Sequence, residues 1–148
     1  MDLVKELDKD LIEAMKAKDS VSLTTLRAVK GAMKMQNIDH KKEINDELLI
    51  EVVSKEIKTR NESIKEFEKG SRQDLIDKTK AEIEILNKYL PEQLSQDEII
   101  EIIEKVFTEV NPAGIKDMGK VMGMVTPLVK GKADMGVVSG LIREKLNN

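Results

Sequence analysis

Cysteine is absent from the 148-residue sequence, which excludes disulfide bonds, thiolate zinc sites and a cysteine nucleophile. A chain without disulfides fits a reducing compartment, and the cytoplasm is the expected one. Aromatic residues are almost absent too, with only Phe67, Phe107 and Tyr89 present. The core must therefore be built from Leu, Ile, Val and Met, which suits helix packed on helix better than a sheet sandwich. The one histidine, His40, sits in the charged tract Asp39-His40-Lys41-Lys42 with no nucleophile nearby and reads as a surface residue. No apolar run approaches the roughly 20 residues that span a bilayer, and the chain is charged from Asp2 onward, so neither a membrane segment nor an export leader is expected.

A surplus of one charge is also missing. Charged residues make up 36% of the chain yet cancel to a net charge of -3, so no global field draws it onto nucleic acid, and any such binding must be local. The signatures of several chemistries are lacking. Val129-Lys130-Gly131-Lys132 has neither the preceding strand nor the hydroxyl of a phosphate loop, the acids match no calcium loop, and no acid–histidine cluster occurs. The pairs Glu82 and Glu84, and Glu101 and Glu104, read as solvated helix faces rather than acid–base machinery. No catalytic residue, metal or cofactor is expected.

What is present is helical periodicity, and the fold class it implies is all-α. Leu3, Leu7, Leu11 and Met15 recur every four residues, with Val4, Ile12 and Ala14 alongside, up to Lys18. After a break at Asp19-Ser20, where Ser20 or Ser22 can cap, Leu23, Leu26, Val29 and Met33 carry a second helix to about Gln36. Asn37 to Asn45 reads as a loop. Asp46 is the expected cap of a long third helix ending at Gly70, and Leu75, Thr79, Ile83, Leu86 and Leu90 mark a fourth, antiparallel to it.

Pro91 is the expected boundary and hinge between a bundle of about four helices over residues 1–90 and a three-helix tail over 95–148. The tail opens on a capping box, Ser95-Gln96-Asp97-Glu98. Its next helix is expected near Asp117, with Pro127 kinking or shortening it, and Asp134 opens the last.

The tail also carries the residues that look built to bind. Acids dominate between Pro91 and Val110, whereas from Asn111 onward Lys116, Lys120, Lys130, Lys132, Arg143 and Lys145 face only Asp117, Asp134 and Glu144. Six cations in so short a stretch suffice for a phosphate-tracking patch, and the turn from Gly131 to Asp134 is expected to aim free N–H groups the same way. Gly119 and Gly123 form Gly-x-x-x-Gly, which admits two readings: a close helix crossing within the bundle, or a surface kept bare for a partner or an RNA backbone. Arg27, Lys30 and Lys34 make a second basic stripe one turn apart, and such stripes are common on exposed helix faces.

Tyr89-Leu90-Pro91-Glu92-Gln93-Leu94, Lys116-Asp117-Met118-Gly119-Lys120-Val121-Met122-Gly123 and Lys130-Gly131-Lys132-Ala133-Asp134, in that order, resemble the YqeY family. Glu66-Phe67-Glu68-Lys69-Gly70 and Leu26-Arg27 extend the resemblance over essentially the whole chain. That family is similar to the C-terminal helical and tail regions of GatB, a component of the glutamine-dependent aspartyl/glutamyl-tRNA amidotransferase. The resemblance implies contact with tRNA, through Lys116, Gly119, Lys120, Gly123, Lys130, Gly131, Lys132 and Asp134. It does not imply the carbon–nitrogen ligase chemistry, which belongs to a catalytic domain with no counterpart here. The expected function is a non-catalytic tRNA-binding module. The alternative is a protein adaptor docking on an aminoacyl-tRNA synthetase or another translation protein.

Overall fold

The computed structural model describes residues 2–148, whose regular structure consists of seven α-helices and one turn of 3₁₀ helix, with no strand. The all-α expectation holds. The helices are α1 (Leu3–Ala17), α2 (Ser20–His40), α3 (Asp46–Lys69), α4 (Gln73–Asn87), α5 (Gln96–Val110), α6 (Met118–Val129) and α7 (Met135–Leu146). The 3₁₀ turn, Ile115–Asp117, leads into α6. The chain divides between Leu90 and Pro91 into two compact units.

In the first unit α3 and α4 pair most extensively. Arg60 on α3 meets Glu82 on α4 at 3.3 Å, the two standing eleven positions either side of Ser71, as in an antiparallel hairpin. The core joins Leu7 and Leu11 from α1 to Leu26, Val29 and Met33 from α2, Leu48, Leu49, Val52 and Val53 from α3, and Leu86 and Tyr89. Each such side chain contributes about 1.5–3 kcal/mol by leaving water. Ile12 and Met15, placed by periodicity on the apolar face of α1, are instead about half exposed.

Helix α4 ends at Asn87, short of the Leu90 read into it, and three other helix ends differ from expectation, each for a local reason. Helix α2 starts on Asp19, whose carboxylate accepts from the Ser22 N–H at 3.1 Å and the Ser22 hydroxyl at 2.7 Å, so neither serine is the cap. It also runs a full turn beyond Gln36 to His40. It stops at Lys41, which takes the left-handed conformation (φ 54°), while the Lys42 N–H returns to the Gln36 carbonyl and the Asn37 side chain donates to the Lys42 carbonyl. Helix α3 is capped by Asn45, not Asp46. Asp46 is turned to another task, accepting from the Leu3 and Val4 N–H groups at 3.0 and 3.2 Å and so closing the first turn of α1.

The second unit packs α5, α6 and α7 around Ile99, Ile103, Val106, Val121, Val125, Val129, Val138 and Ile142. Every one of these is β-branched, so the core is stiff as well as small. The capping box forms as read, with the Glu98 N–H donating to Ser95 and the Ser95 N–H to Glu98. Pro127 lies inside α6 but only two residues before its end, which confines the lost backbone bond to the final turn.

Candidate nucleic-acid interface

Helix α6 buries Val121, Val125 and Val129, a repeat of four that points one face into the core and leaves the opposite face to solvent. On that outer face the 3₁₀ turn and the first half of α6 bring together Lys116, Gly119, Lys120 and Gly123, all exposed, with Gly119 and Lys120 each three or four residues from both Lys116 and Gly123. A Cβ built on Gly119 or Gly123 would meet nothing within 4 Å. The helix-crossing reading of this Gly-x-x-x-Gly therefore fails, because no neighbouring helix lies against it. The second half of the same face is apolar, with Met124 and Leu128 exposed at 40% and 52%.

Lys130, Gly131 and Lys132 lie at the far end of α6, so the predicted residues form two clusters, Lys120 and Lys130 standing about 15 Å apart along the helix axis. Lys130 and Lys132 are exposed. Gly131 has φ 76°, a conformation that L side chains resist, so its glycine is demanded by the turn itself rather than by a ligand. The turn is also tied down from a distance. The Gln93 side-chain amide donates to both the Pro91 and Gly131 carbonyls at 2.9 Å, and the Leu94 N–H donates to the Lys132 carbonyl at 2.8 Å. Gln93 and Leu94 of one sequence motif thus meet Gly131 and Lys132 of another in space.

The expectation of free N–H groups at this turn is narrowed by two bonds, one within it and one just beyond. The Lys132 N–H is engaged by the Val129 carbonyl at 2.8 Å, and the Gly136 N–H at the start of α7 is taken by the Asp134 carboxylate at 2.7 Å. Asp134 caps α7, as read, and by doing so places its own negative charge where a phosphate would sit.

Two features of the unit were not picked out from sequence. Gly136 and Gly140 repeat on α7 the spacing of Gly119 and Gly123, and both are exposed, Gly140 with open space above it. That spacing was legible in the sequence. The bond from Gln93 to Gly131 was not, because 38 positions separate the partners. Of the cations near the C-terminus, Lys145 lies over the Phe107 ring at 5.3 Å. The second basic stripe, Arg27, Lys30 and Lys34, lies exposed on α2 of the first unit, where Lys30 is already paired with Asp8 at 2.6 Å. Among the described residues no three His, Cys, Asp or Glu side chains converge to hold a metal ion, and no helix is long and apolar enough to cross a membrane.

A family model described as Yqey-like protein matches residues 4–146. The chain belongs to the YqeY family. Similar YqeY relatives carry the name altered inheritance of mitochondria protein 41, mitochondrial. The protein of Pyrenophora tritici-repentis is 31% identical over 145 residues, covering 96% of this chain and 80% of its own. That of Candida glabrata is 42% identical over 92 residues, 61% of this chain and 50% of its own. That of Lachancea thermotolerans is 37% identical over 113 residues, 74% and 60% respectively. The match thus spans four-fifths of the first relative and half to three-fifths of the other two. These names overturn the expectation of a cytoplasmic protein, since the relatives are named as mitochondrial. The absence of cysteine, on which that expectation rested, does not distinguish the cytosol from another reducing compartment.

Proposed function

We propose that this YqeY-family chain is a non-catalytic tRNA-binding module whose second unit grips folded RNA through its lysines and its bare glycine face. The observation that carries the reading is the pairing of Gly119 and Gly123, each with open space where a side chain would stand, with Lys116 and Lys120 on the same face. Glycine inside a helix costs about 1 kcal/mol relative to alanine, and nothing within the unit requires it at these two positions. A smooth strip flanked by ammonium groups lets a sugar–phosphate backbone approach closely while its charge is neutralised. With only three aromatic residues in the chain, base stacking has little to work with, which favours recognition of RNA shape. The resemblance to the tail of the amidotransferase component GatB points the same way.

The test is binding of the purified chain to total tRNA across a salt series, with a Lys116→Gln/Lys120→Gln variant and a Lys130→Gln/Lys132→Gln variant alongside. Salt-sensitive binding is expected, and removing each phosphate-neutralising lysine should flatten the log–log salt slope by about 0.7–0.9. No binding at low salt, or slopes unchanged in both variants, sinks the reading.

A second reading, an adaptor docking on a tRNA synthetase or translation factor, is favoured by the exposed Met124, Leu128 and Val137. It predicts that Met124→Glu/Leu128→Glu abolishes capture of a protein partner while tRNA binding is unaffected.

A further inference from the structure

A groove of about 660 Å³ opens in the first unit between α1 and α4, floored by the start of α2. It exists because α1 packs chiefly on α2, and α4 chiefly on α3, leaving a channel between them. The channel is closed at one end, where Lys88 and Tyr89 reach Asp10. From there it follows α1 from Asp10 to Ala17 and α4 from Lys88 back to Ala81, about 10 Å or two helical turns along either wall.

The lining has two chemistries. Ala14, Ala17, Ala81 and Ile85 make the walls small and apolar, with Val21 and Leu26 beneath. The rim is acidic. Glu13 on α1 and Glu84 on α4 are exposed and make no hydrogen bond or ion pair with a described residue. Asp10 and Asp19 add two more carboxylates, against a single rim cation, Lys88, already engaged by Asp10 and Glu6.

We propose that this groove docks one helix of a partner protein. The guest is a basic amphipathic helix that lays a stripe of Ala or Leu between α1 and α4 and sets Lys or Arg on both flanks against Glu13 and Glu84. Each part follows from the walls. Alanines allow a guest backbone to come close, since interaxial distance is set by the side chains that meet there. Both walls are helices whose backbone groups bond internally, so no strand edge is available and helix-in-groove is the mode that remains. Unpaired carboxylates on opposite rims select a guest with cations on both edges of its apolar stripe and repel an acidic one. None of these residues belongs to the second unit, so the proposal is independent of the RNA reading.

The test uses the full chain and two synthetic helical peptides sharing one Leu/Ala stripe, one with Lys on both flanks and the other with Glu. Binding is read by anisotropy of the labelled peptide and by amide NMR shifts. The Lys peptide is expected to bind, with shifts centred on Ala14, Ala17, Ala81 and Ile85, and to bind at least tenfold more tightly than the Glu peptide. Glu13→Lys/Glu84→Lys should weaken it at least tenfold. Ala17→Phe, an exposed change that fills the channel without adding charge, should do the same, with helicity and melting checked for each variant. Absent binding, equal binding of the two peptides, indifference to both variants, or shifts outside the groove overturns the proposal. So does a dimer of the free chain that either variant dissociates, because the groove then belongs to a second copy.

Discussion

The hydroxyl of Tyr89, the chain's one tyrosine, donates a hydrogen bond to the carboxylate of Asp10, 79 positions earlier. Lys88 meets the same carboxylate at 2.7 Å and reaches Glu6 at 3.4 Å. The residues just after α4 are thereby fastened to α1, and the Tyr89 ring is buried in the core of the first unit. The tyrosine of the Tyr-Leu-Pro motif is thus a structural clasp. Its polar end finds the partner that a buried hydroxyl requires.

Replacing Tyr89 with Phe keeps the ring and removes the donor. The expected cost is about 1–2 kcal/mol, because the lost bond goes to a charged acceptor that Lys88 still serves. Tyr89→Ala, which also empties part of the core, should cost about 3–5 kcal/mol. Denaturant midpoints of the two variants would separate bond from packing. Equal losses would show that the hydroxyl carries the whole effect.

The clasp also sets a pH dependence on both sides. Burial pushes the Asp10 carboxyl up, but the hydrogen bonds from Lys88 and Tyr89 outweigh it, and the group titrates below its ordinary 3.8. A depressed folded value stabilises above the unfolded one, so this contribution is complete above about pH 5 and is lost as the pH falls below 3.8. Burial, then the bond to Asp10, raises the Tyr89 phenol well above 10.0. A raised folded value stabilises below the unfolded one, so that contribution is lost as the pH climbs past 10.0. With one tyrosine in the chain, the ultraviolet phenolate signal reports this group alone. It should appear together with alkaline unfolding, and a phenolate titrating near 10.0 in the folded protein would refute the clasp.

Gly119→Ala and Gly123→Ala should each raise the stability of the chain by about 1 kcal/mol, since the new methyl group enters open space. The same changes should weaken tRNA binding. Melting curves and binding isotherms together decide the matter. Stabilised variants that bind as before would remove the glycine face from the interface.

Gly131→Ala should act in the opposite direction, costing about 1–2 kcal/mol through its left-handed backbone. Gln93→Ala, which releases the Pro91 and Gly131 carbonyls, should cost about 1 kcal/mol. Hydrogen exchange should show both changes loosening the turn between α6 and α7. Unaltered protection at Lys132 would exclude the tie.

Fold class and helix positions were legible because they rest on local rules. The period of four in Val121, Val125 and Val129, the reciprocal cap of Ser95 and Glu98, and the stop at Gly70 each need only a few adjacent residues. The end of α2 was not legible, because Asn37 to His40 is weak in propensity and its one apolar residue, Ile38, is exposed rather than in the core. Its continuation is decided by a cap formed at Lys41 and Lys42. The lysines and glycines of the tail were visible as a set, though periodicity alone left open whether Gly119 and Gly123 faced a helix or solvent.

By itself, then, the sequence determined an all-helical chain, its family, and a cation-rich, glycine-bearing tail, because periodicity, caps and composition act over a turn or two of helix. Only the tertiary structure decided that Asp46 closes α1, that Asp10 holds Tyr89, that Gln93 ties down Gly131, and that Gly119 and Gly123 stand bare. The three bonds join residues 38 to 79 positions apart. Hydrogen-bonding groups carry no label naming such distant partners, and only the packing of the helices brings them within reach.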